Sequence, residues 1–174
     1  MRVVLDTNVF VSGLFFKGPP YQILDAWRRR VLRLVVSPEV LEEYHRVSQE
    51  LAMDFPQIDL GPPLALLETH ALMRKPGRLS APVCADPDDD KFLTCALGGR
   101  TKMVVSGDRH LLAVDGYRGI RVLRPRQFVE EHLKKRLHQE LIRGVRRIAG
   151  SGGVENVFDG DATSRKSTSS PKKG

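Results

Sequence analysis

The chain has little of what holds a small secreted or membrane protein together. It contains two cysteines in 174 residues, and Cys84 and Cys95 form neither a CxxC pair nor a metal-binding spacing. Disulfide stapling and zinc-finger chemistry are thereby excluded, and both thiols are expected to be small buried hydrophobes. A reducing, cytoplasmic location is expected from the same usage. No apolar run approaches the ~20 residues that a membrane span needs. The opening Met1-Arg2-Val3-Val4-Leu5-Asp6 meets an acid too early to read as a signal peptide. Aromatic residues are 6% with a single Trp, too sparse for the stacking platform of a single-strand nucleic-acid binder.

Excess charge is also scarce over most of the chain. Residues 1–133 hold 18 Lys and Arg against 17 Asp and Glu, whereas residues 134–174 hold 10 against 4. Nearly all of the net charge of +7 therefore sits in the last quarter. Such asymmetry points to a basic appendage that can meet nucleic acid or stand as a solvated tail.

What is present is an alternation of short apolar runs and helical periods. Val3-Val4-Leu5 reads as a buried parallel strand closed by the turn-like cluster Asp6-Thr7-Asn8. A helix is predicted after Gly18-Pro19-Pro20, with Ile23, Leu24 and Trp27 on its apolar stripe. Leu34-Val35-Val36 is a second strand. Ser37-Pro38-Glu39 then gives an N-cap, a first-turn proline and a first-turn acid to a helix through Val40, Leu41, Tyr44, Val47 and Leu51. Residues 54–63 read as loop, Leu64 to Ala71 as helix, and 79–84 as a short strand. The acid run Asp86-Pro87-Asp88-Asp89-Asp90 opens a further helix ended by Gly98-Gly99. Met103-Val104-Val105 and Ile120 to Leu123 complete the strands, with helices at Leu111-Leu112 and from Pro125. This order implies a three-layer α/β/α sandwich with a central parallel sheet. The expected organisation is a domain over 1–133, a basic amphipathic helical extension over 134–149, and a disordered Gly/Ser-rich tail over 150–174.

In an open parallel sheet, ligands sit beyond the carboxyl ends of the strands. Asp6 and Asp108 follow strands, and the run from Asp86 to Asp90 begins the helix that precedes the strand before Asp108. Glu43 lies three residues after Val40 and four before Val47, flanking their apolar stripe, whereas Glu42 falls toward solvent. An inward carboxylate costs several kcal/mol unless it is paired or binds a metal. Each acid alone has an ordinary structural explanation as a turn former, cap or arginine partner. Together at one sheet edge they favour a hard divalent cation, Mg²⁺ or Mn²⁺, over Zn²⁺. Such chemistry needs neither a serine nucleophile nor a histidine base. His45, His70, His132 and His138 are expected at the surface, and His110 alone lies near an acidic motif.

The series Val4-Leu5-Asp6-Thr7-Asn8, Ser37-Pro38-Glu39 leading to Glu42-Glu43-Tyr44, Asp86 to Leu93, and Val105-Ser106-Gly107-Asp108 resembles the PIN-domain family, with its VapC-like toxins of bacterial toxin–antitoxin pairs as the nearest branch. The resemblance covers about residues 1–133. It implies a Rossmann-like sandwich and Mg²⁺- or Mn²⁺-dependent endoribonuclease activity. By this resemblance Asp6, Glu43, Asp89 and Asp108 match the family's acidic quartet, as catalytic residues and metal ligands. Asn8 and Ser106 match its supporting polar residues, and Asp86 and Asp90 stand close enough to substitute for Asp89. Many relatives place a further acid two positions after the one matching Asp108; here that residue is His110. The implied partners are an RNA substrate, a small antitoxin protein and a second copy of the chain as a homodimer.

Two other classes compete with a nuclease. A receiver-type signalling domain shares the parallel sheet and acids at strand ends, but it usually carries paired acids after the first strand and a lysine after the last. This chain has a single Asp6 and Arg124-Pro125 there. An aspartyl-nucleophile phosphatase would want an acid where Asn8 stands. A non-catalytic RNA-binding module is the second alternative, opposed by the intact acids, which repel phosphate unless a metal intervenes.

Overall fold

The computed structural model describes residues 1–150; the tail expected to be disordered lies, beyond Gly150, outside them. Five strands form one all-parallel sheet: β1 (Arg2–Leu5), β2 (Arg33–Val36), β3 (Leu72–Met73), β4 (Met103–Val105) and β5 (Arg121–Leu123). Their spatial order is β3-β2-β1-β4-β5. The chain steps outward from β1 through β2 to β3, then crosses to the other side of β1 for β4 and β5. The order therefore reverses between β1 and β4, and the crevice at their carboxyl ends is the natural ligand site of such a sheet. Helices flank the sheet: α1 (Thr7–Phe15), α2 (Pro19–Arg28), α3 (Pro38–Asp54), α4 (Gly61–His70), α5 (Asp90–Gly98), α6 (Arg109–Leu112) and α7 (Pro125–Phe128); α8 (Lys134–Gly150) follows in the chain. The expected α/β class with a parallel central sheet is the fold observed.

The Val and Leu residues of β1, β2, β4 and β5 are buried, which is why these strands read as short Val/Leu runs; in the edge strand β3, Leu72 is half-buried and Met73 exposed. Val3, Val4, Leu34, Val35, Val104, Val105 and Leu123 are each at most 1% exposed. Burying such a side chain contributes about 1.5–3 kcal/mol. Leu111, Phe92, Leu93 and Phe128 bring the helices down onto the sheet. Cys84 and Cys95 are free and buried in the same core.

Two local readings change. The Asp6-Thr7-Asn8 cluster does not end in a loop: Asp6 caps α1, accepting the Asn8 amide at 3.2 Å, so a turn signature here starts a helix. Residues 79–84 are not a strand. The amides of Val83 and Cys84, which a ladder would need, donate instead to the Asp90 carboxylate, at 3.0 and 2.9 Å for their shorter contacts. The third strand is the two-residue β3 after α4. Helix α5 ends at Gly98-Gly99 as expected, with Gly99 at φ −77° and Arg100 beyond it in the left-handed conformation at φ 48°. Gly99 is needed for space, because a Cβ there would sit 2.4 Å from Val35 Cγ1.

The chain divides into two compact units, Met1–His138 and a second beginning at Gln139. Within the first, the opening turn of α8 belongs to the domain: Arg136 donates to the Val31 carbonyl at 2.9 Å and Leu137 packs on the core. A π-helical turn over Val129–Leu133 joins α7 to α8, with Val129 and Leu133 buried.

Candidate metal centre

The parallel register sets Val4 beside Val104 and Leu5 beside Val105, so the next residues, Asp6 and Ser106, meet at the carboxyl edge. Asp6 keeps its backbone in the sheet through an amide bond to the Val105 carbonyl at 2.9 Å. Its side chain is 4% exposed and held on both oxygens, Oδ1 by the Asn8 amide and Oδ2 by the Ser106 hydroxyl at 2.6 Å. Ser106, wholly buried, also accepts the Asp108 amide at 2.9 Å. One hydroxyl thus links the loop after β4 to the acid after β1. Asp108 caps α6, its Oδ1 taking the His110 amide at 2.6 Å and the Leu111 amide at 3.3 Å. Asn8 itself is exposed and contributes its backbone.

The acid run resolves into different tasks. Asp86 is exposed and takes the Asp88 amide at 3.0 Å, capping the short 3-10 turn Pro87–Asp89. Asp90 is spent on the Val83 and Cys84 amides. Asp88 is exposed. Asp89 is the member that joins the edge: ligand atoms of Asp89, Asp108 and His110 all lie within 4.8 Å of one another.

Glu43 is half-buried at the same edge, while Glu42 is exposed. Its neighbour Tyr44 fixes α3 against β1 by donating its hydroxyl to the Leu5 carbonyl at 2.6 Å and stacking on Phe10, ring centres 4.3 Å apart. The Glu43 carboxylate is engaged on both oxygens, by the Thr7 hydroxyl at 2.5 Å and by the Lys91 ammonium. The sequence reading took Glu43 as a fourth ligand beside Asp6, Asp89 and Asp108. In the structure the group of three that can share one ion, among the described residues, is Asp89, Asp108 and His110; Glu43, paired with Lys91, and Asp6, held by Asn8 and Ser106, both lie outside it. Thr7 and Lys91 went unassigned in the sequence, because neither spacing nor residue type tells which carboxylate they reach. Two of the histidines expected at the surface, His45 and His132, are half-buried; His45 pairs with Glu68 at 2.8 Å and His132 lies against Phe128.

Electrostatics mark this edge. Burial first, then the charges of Asp108, Asp86 and Asp6, push Asp89 from the ordinary 3.8 up to about 6, with His110 acting in the opposite sense. Asp6 is also raised, chiefly by burial and further by Asp108 and Glu43, against the lowering effect of the Ser106 and Asn8 hydrogen bonds. Carboxylates that resist ionisation together are those a cation would relieve. The donor set fits a divalent metal: two half-buried carboxylates and an imidazole, with the buried His110 Nδ1 lacking a hydrogen-bond partner. The two thiols play no part; burial pushes each up to about 12, so they stay protonated.

Comparison with known proteins agrees with this architecture. The PIN domain family matches residues 2–110, more than half of the chain and the stretch that carries Asp6, Glu43, Asp89, Asp108 and His110. An uncharacterized protein of Methanocaldococcus jannaschii is 29% identical over 150 residues, covering 77% of this chain and 93% of that protein. The match sets aside the receiver-type and phosphatase alternatives. PIN domains are generally nucleases that use divalent metals, and among the described residues no helix is long and apolar enough to cross a membrane. With its five-stranded parallel sheet and its acids at the β1–β4 crevice, this chain belongs to the PIN-domain family.

Proposed function

We propose that the protein is an endoribonuclease that uses Mg²⁺ or Mn²⁺ to hydrolyse phosphodiester bonds, and that it is the toxin of a toxin–antitoxin pair. The observation that carries the reading is the approach of Asp89 and Asp108 at the sheet crevice, beside a buried Asp6 that shares Ser106 with Asp108. Three carboxylates that repel one another when ionised are not assembled for stability. Their arrangement is understandable as a cradle for a cation.

Asp89 and Asp108 would hold the ion, with Asp6 adjoining. A divalent ion bound there supplies an activated water and stabilises the oxygens of an in-line displacement at phosphorus. The residues of the chain do the rest. Ser106 orients Asp6 and fixes the Asp108 backbone; Thr7 and Lys91 hold Glu43 at the rim. An open cleft of about 670 Å³ leads past Glu43 and Lys91 and is lined also by Glu39, Glu42, Arg46, Pro87 and Asp88. Its mixed charge suits a polyanion only when a cation is present.

Purified full-length protein is expected to cut RNA in Mn²⁺ or Mg²⁺ and to stop when chelator is added. Cleavage that survives chelation overturns the reading. The toxin assignment has a separate test, because an unrestrained ribonuclease harms its host. Expression alone is expected to slow growth, and co-expression with the adjacent gene's product to restore it. An inserted arginine or lysine from such a partner would pair the carboxylates and exclude the ion. Harmless expression of protein that cuts RNA in vitro would instead assign a housekeeping role.

A further inference from the structure

The His110 ring stands with Asp89 and Asp108 in the group that can share one ion. The two ring nitrogens have different surroundings. Nε2 meets Arg109 Nε at 3.0 Å, whereas Nδ1 is buried without a hydrogen-bond partner. A buried polar atom left unpaired costs about 1–3 kcal/mol, and such atoms call for an explanation, an ion among them. The backbone holds the ring in place: His110 donates its own amide to Asp108 at 2.6 Å, so the imidazole and that carboxylate are tied to one short turn.

We infer that His110 supplies a nitrogen ligand to the divalent cation held by Asp89 and Asp108, and that this mixed donor set makes the centre select Mn²⁺ over Mg²⁺. The inference rests on the metal-nuclease reading above and adds to it a ligand and a metal preference. Mg²⁺ is a hard ion that takes oxygen donors and keeps its waters, whereas imidazole suits the transition metals. An all-carboxylate site treats Mg²⁺ and Mn²⁺ more evenly than a site with one imidazole in it. Arg109 becomes a competitor for the ring. A metal on Nε2 takes the lone pair that Arg109 now uses; a metal on Nδ1 forces the proton onto Nε2, which then cannot accept. Either way Arg109 must release His110 before the ion is bound.

The test is Mn²⁺ binding to the full-length chain, followed by calorimetry and by pulsed electron paramagnetic resonance, which detects a ¹⁴N nucleus bonded to manganese. Wild-type protein is expected to bind Mn²⁺ with an imidazole nitrogen coupling. His110→Asp is expected to keep a bound ion, lose that coupling, and move the Mn²⁺/Mg²⁺ affinity ratio toward Mg²⁺ by roughly tenfold or more, the lower end of what losing even an outer partner of a metal ligand costs. Arg109→Gln is expected to tighten Mn²⁺. Wild-type protein that binds Mn²⁺ and cuts RNA but shows no nitrogen coupling overturns the His110 assignment and leaves the nuclease reading standing. A wild-type ratio unchanged in His110→Asp does the same. Wild-type protein that takes up neither ion overturns both. The wild-type spectrum decides even where a variant fails to fold.

Discussion

Lys91 is ion-paired with Glu43, joining the first turn of α5 to α3 at the rim of the carboxylate edge. The two side chains are only 23% and 15% exposed, so the pair is neither a surface ornament nor fully dehydrated. Glu43 would otherwise face Asp6, whose ionisation it already opposes. Lys91 therefore serves as a counter-charge to Glu43 on one side of the carboxylate edge.

Lys91→Met is expected to destabilise the metal-free protein by about 1–3 kcal/mol, between the value of an exposed pair and the cost of breaking a buried one. The same change frees the Glu43 carboxylate, so the stabilisation conferred by Mn²⁺ should grow. Denaturant unfolding with chelator and with Mn²⁺ measures both. A variant as stable as wild type without metal would show that the pair contributes nothing.

Replacing the acids separates chemistry from folding. Asp6→Asn, Asp89→Asn and Asp108→Asn are each expected to abolish RNA cleavage. Asp6→Asn should keep or raise stability. An asparagine can still accept the Asn8 amide and donate to Ser106, and it removes a charge from a site where burial already penalises it. Asp88→Asn, at an exposed position, should cut at close to the wild-type rate. Cleavage by Asp6→Asn at the wild-type rate, or a greater loss from Asp88→Asn than from Asp89→Asn, would remove the assignment of these ligands.

Four of the five strands were legible because their Val and Leu residues are buried and so appear as bare apolar runs; the two-residue edge strand β3, with Met73 exposed, was not. The crevice was legible because Asp6, Ser106 and Asp108 directly follow two of those runs. Helix α1 was not, since Asp-Thr-Asn serves equally as a turn and as a helix cap, and only the buried Val9 and Phe10 decide between them. The segment before the acid run was misread for a tertiary reason: Asp90 reaches back seven residues to take amides that a ladder would have used. Lys91 shows the same limit at the site: its partner Glu43 is remote in sequence, and no period or motif encodes a distance across the fold.

The raised carboxyls make stability depend on pH in a definite direction. Asp89 titrates at about 6 in the folded chain against 3.8 ordinarily, so between these values the folded state holds more protons than the unfolded one. Stability then falls as pH rises through that window and the loss is complete above it. Below about pH 4 both states are protonated and Asp89 contributes nothing. In chelator, Asp89→Asn is therefore expected to gain on wild type as pH rises from about 4 to about 6, with the gain constant beyond. Urea unfolding of both proteins across this range checks it. A gain that shrinks with rising pH would mean that Asp89 is stabilised as the anion, contrary to its surroundings of Asp108, Asp86 and Asp6.

The basic end of the chain makes the last expectation. From Gln139 onward α8 carries Arg143, Arg146 and Arg147, and Leu141 and Val145 are 65% and 58% exposed. The remainder adds Arg165, Lys166, Lys172 and Lys173. Neutralising phosphates with such cations releases counterions, so RNA binding weakens with salt in proportion to the contacts made. Deleting residues 139–174 is expected to lower RNA affinity and flatten its salt dependence, while Mn²⁺ binding to the domain stays as it was. The rival role is docking, for which the apolar stripe through Leu141 and Val145 is the argument. Docking would appear as a lower melting temperature or a changed oligomeric state with the salt slope preserved. RNA affinity at two salt concentrations, alongside thermal melts of both proteins, distinguishes them: an unchanged slope with a lower melting temperature rejects the RNA-approach role and assigns the helix to packing.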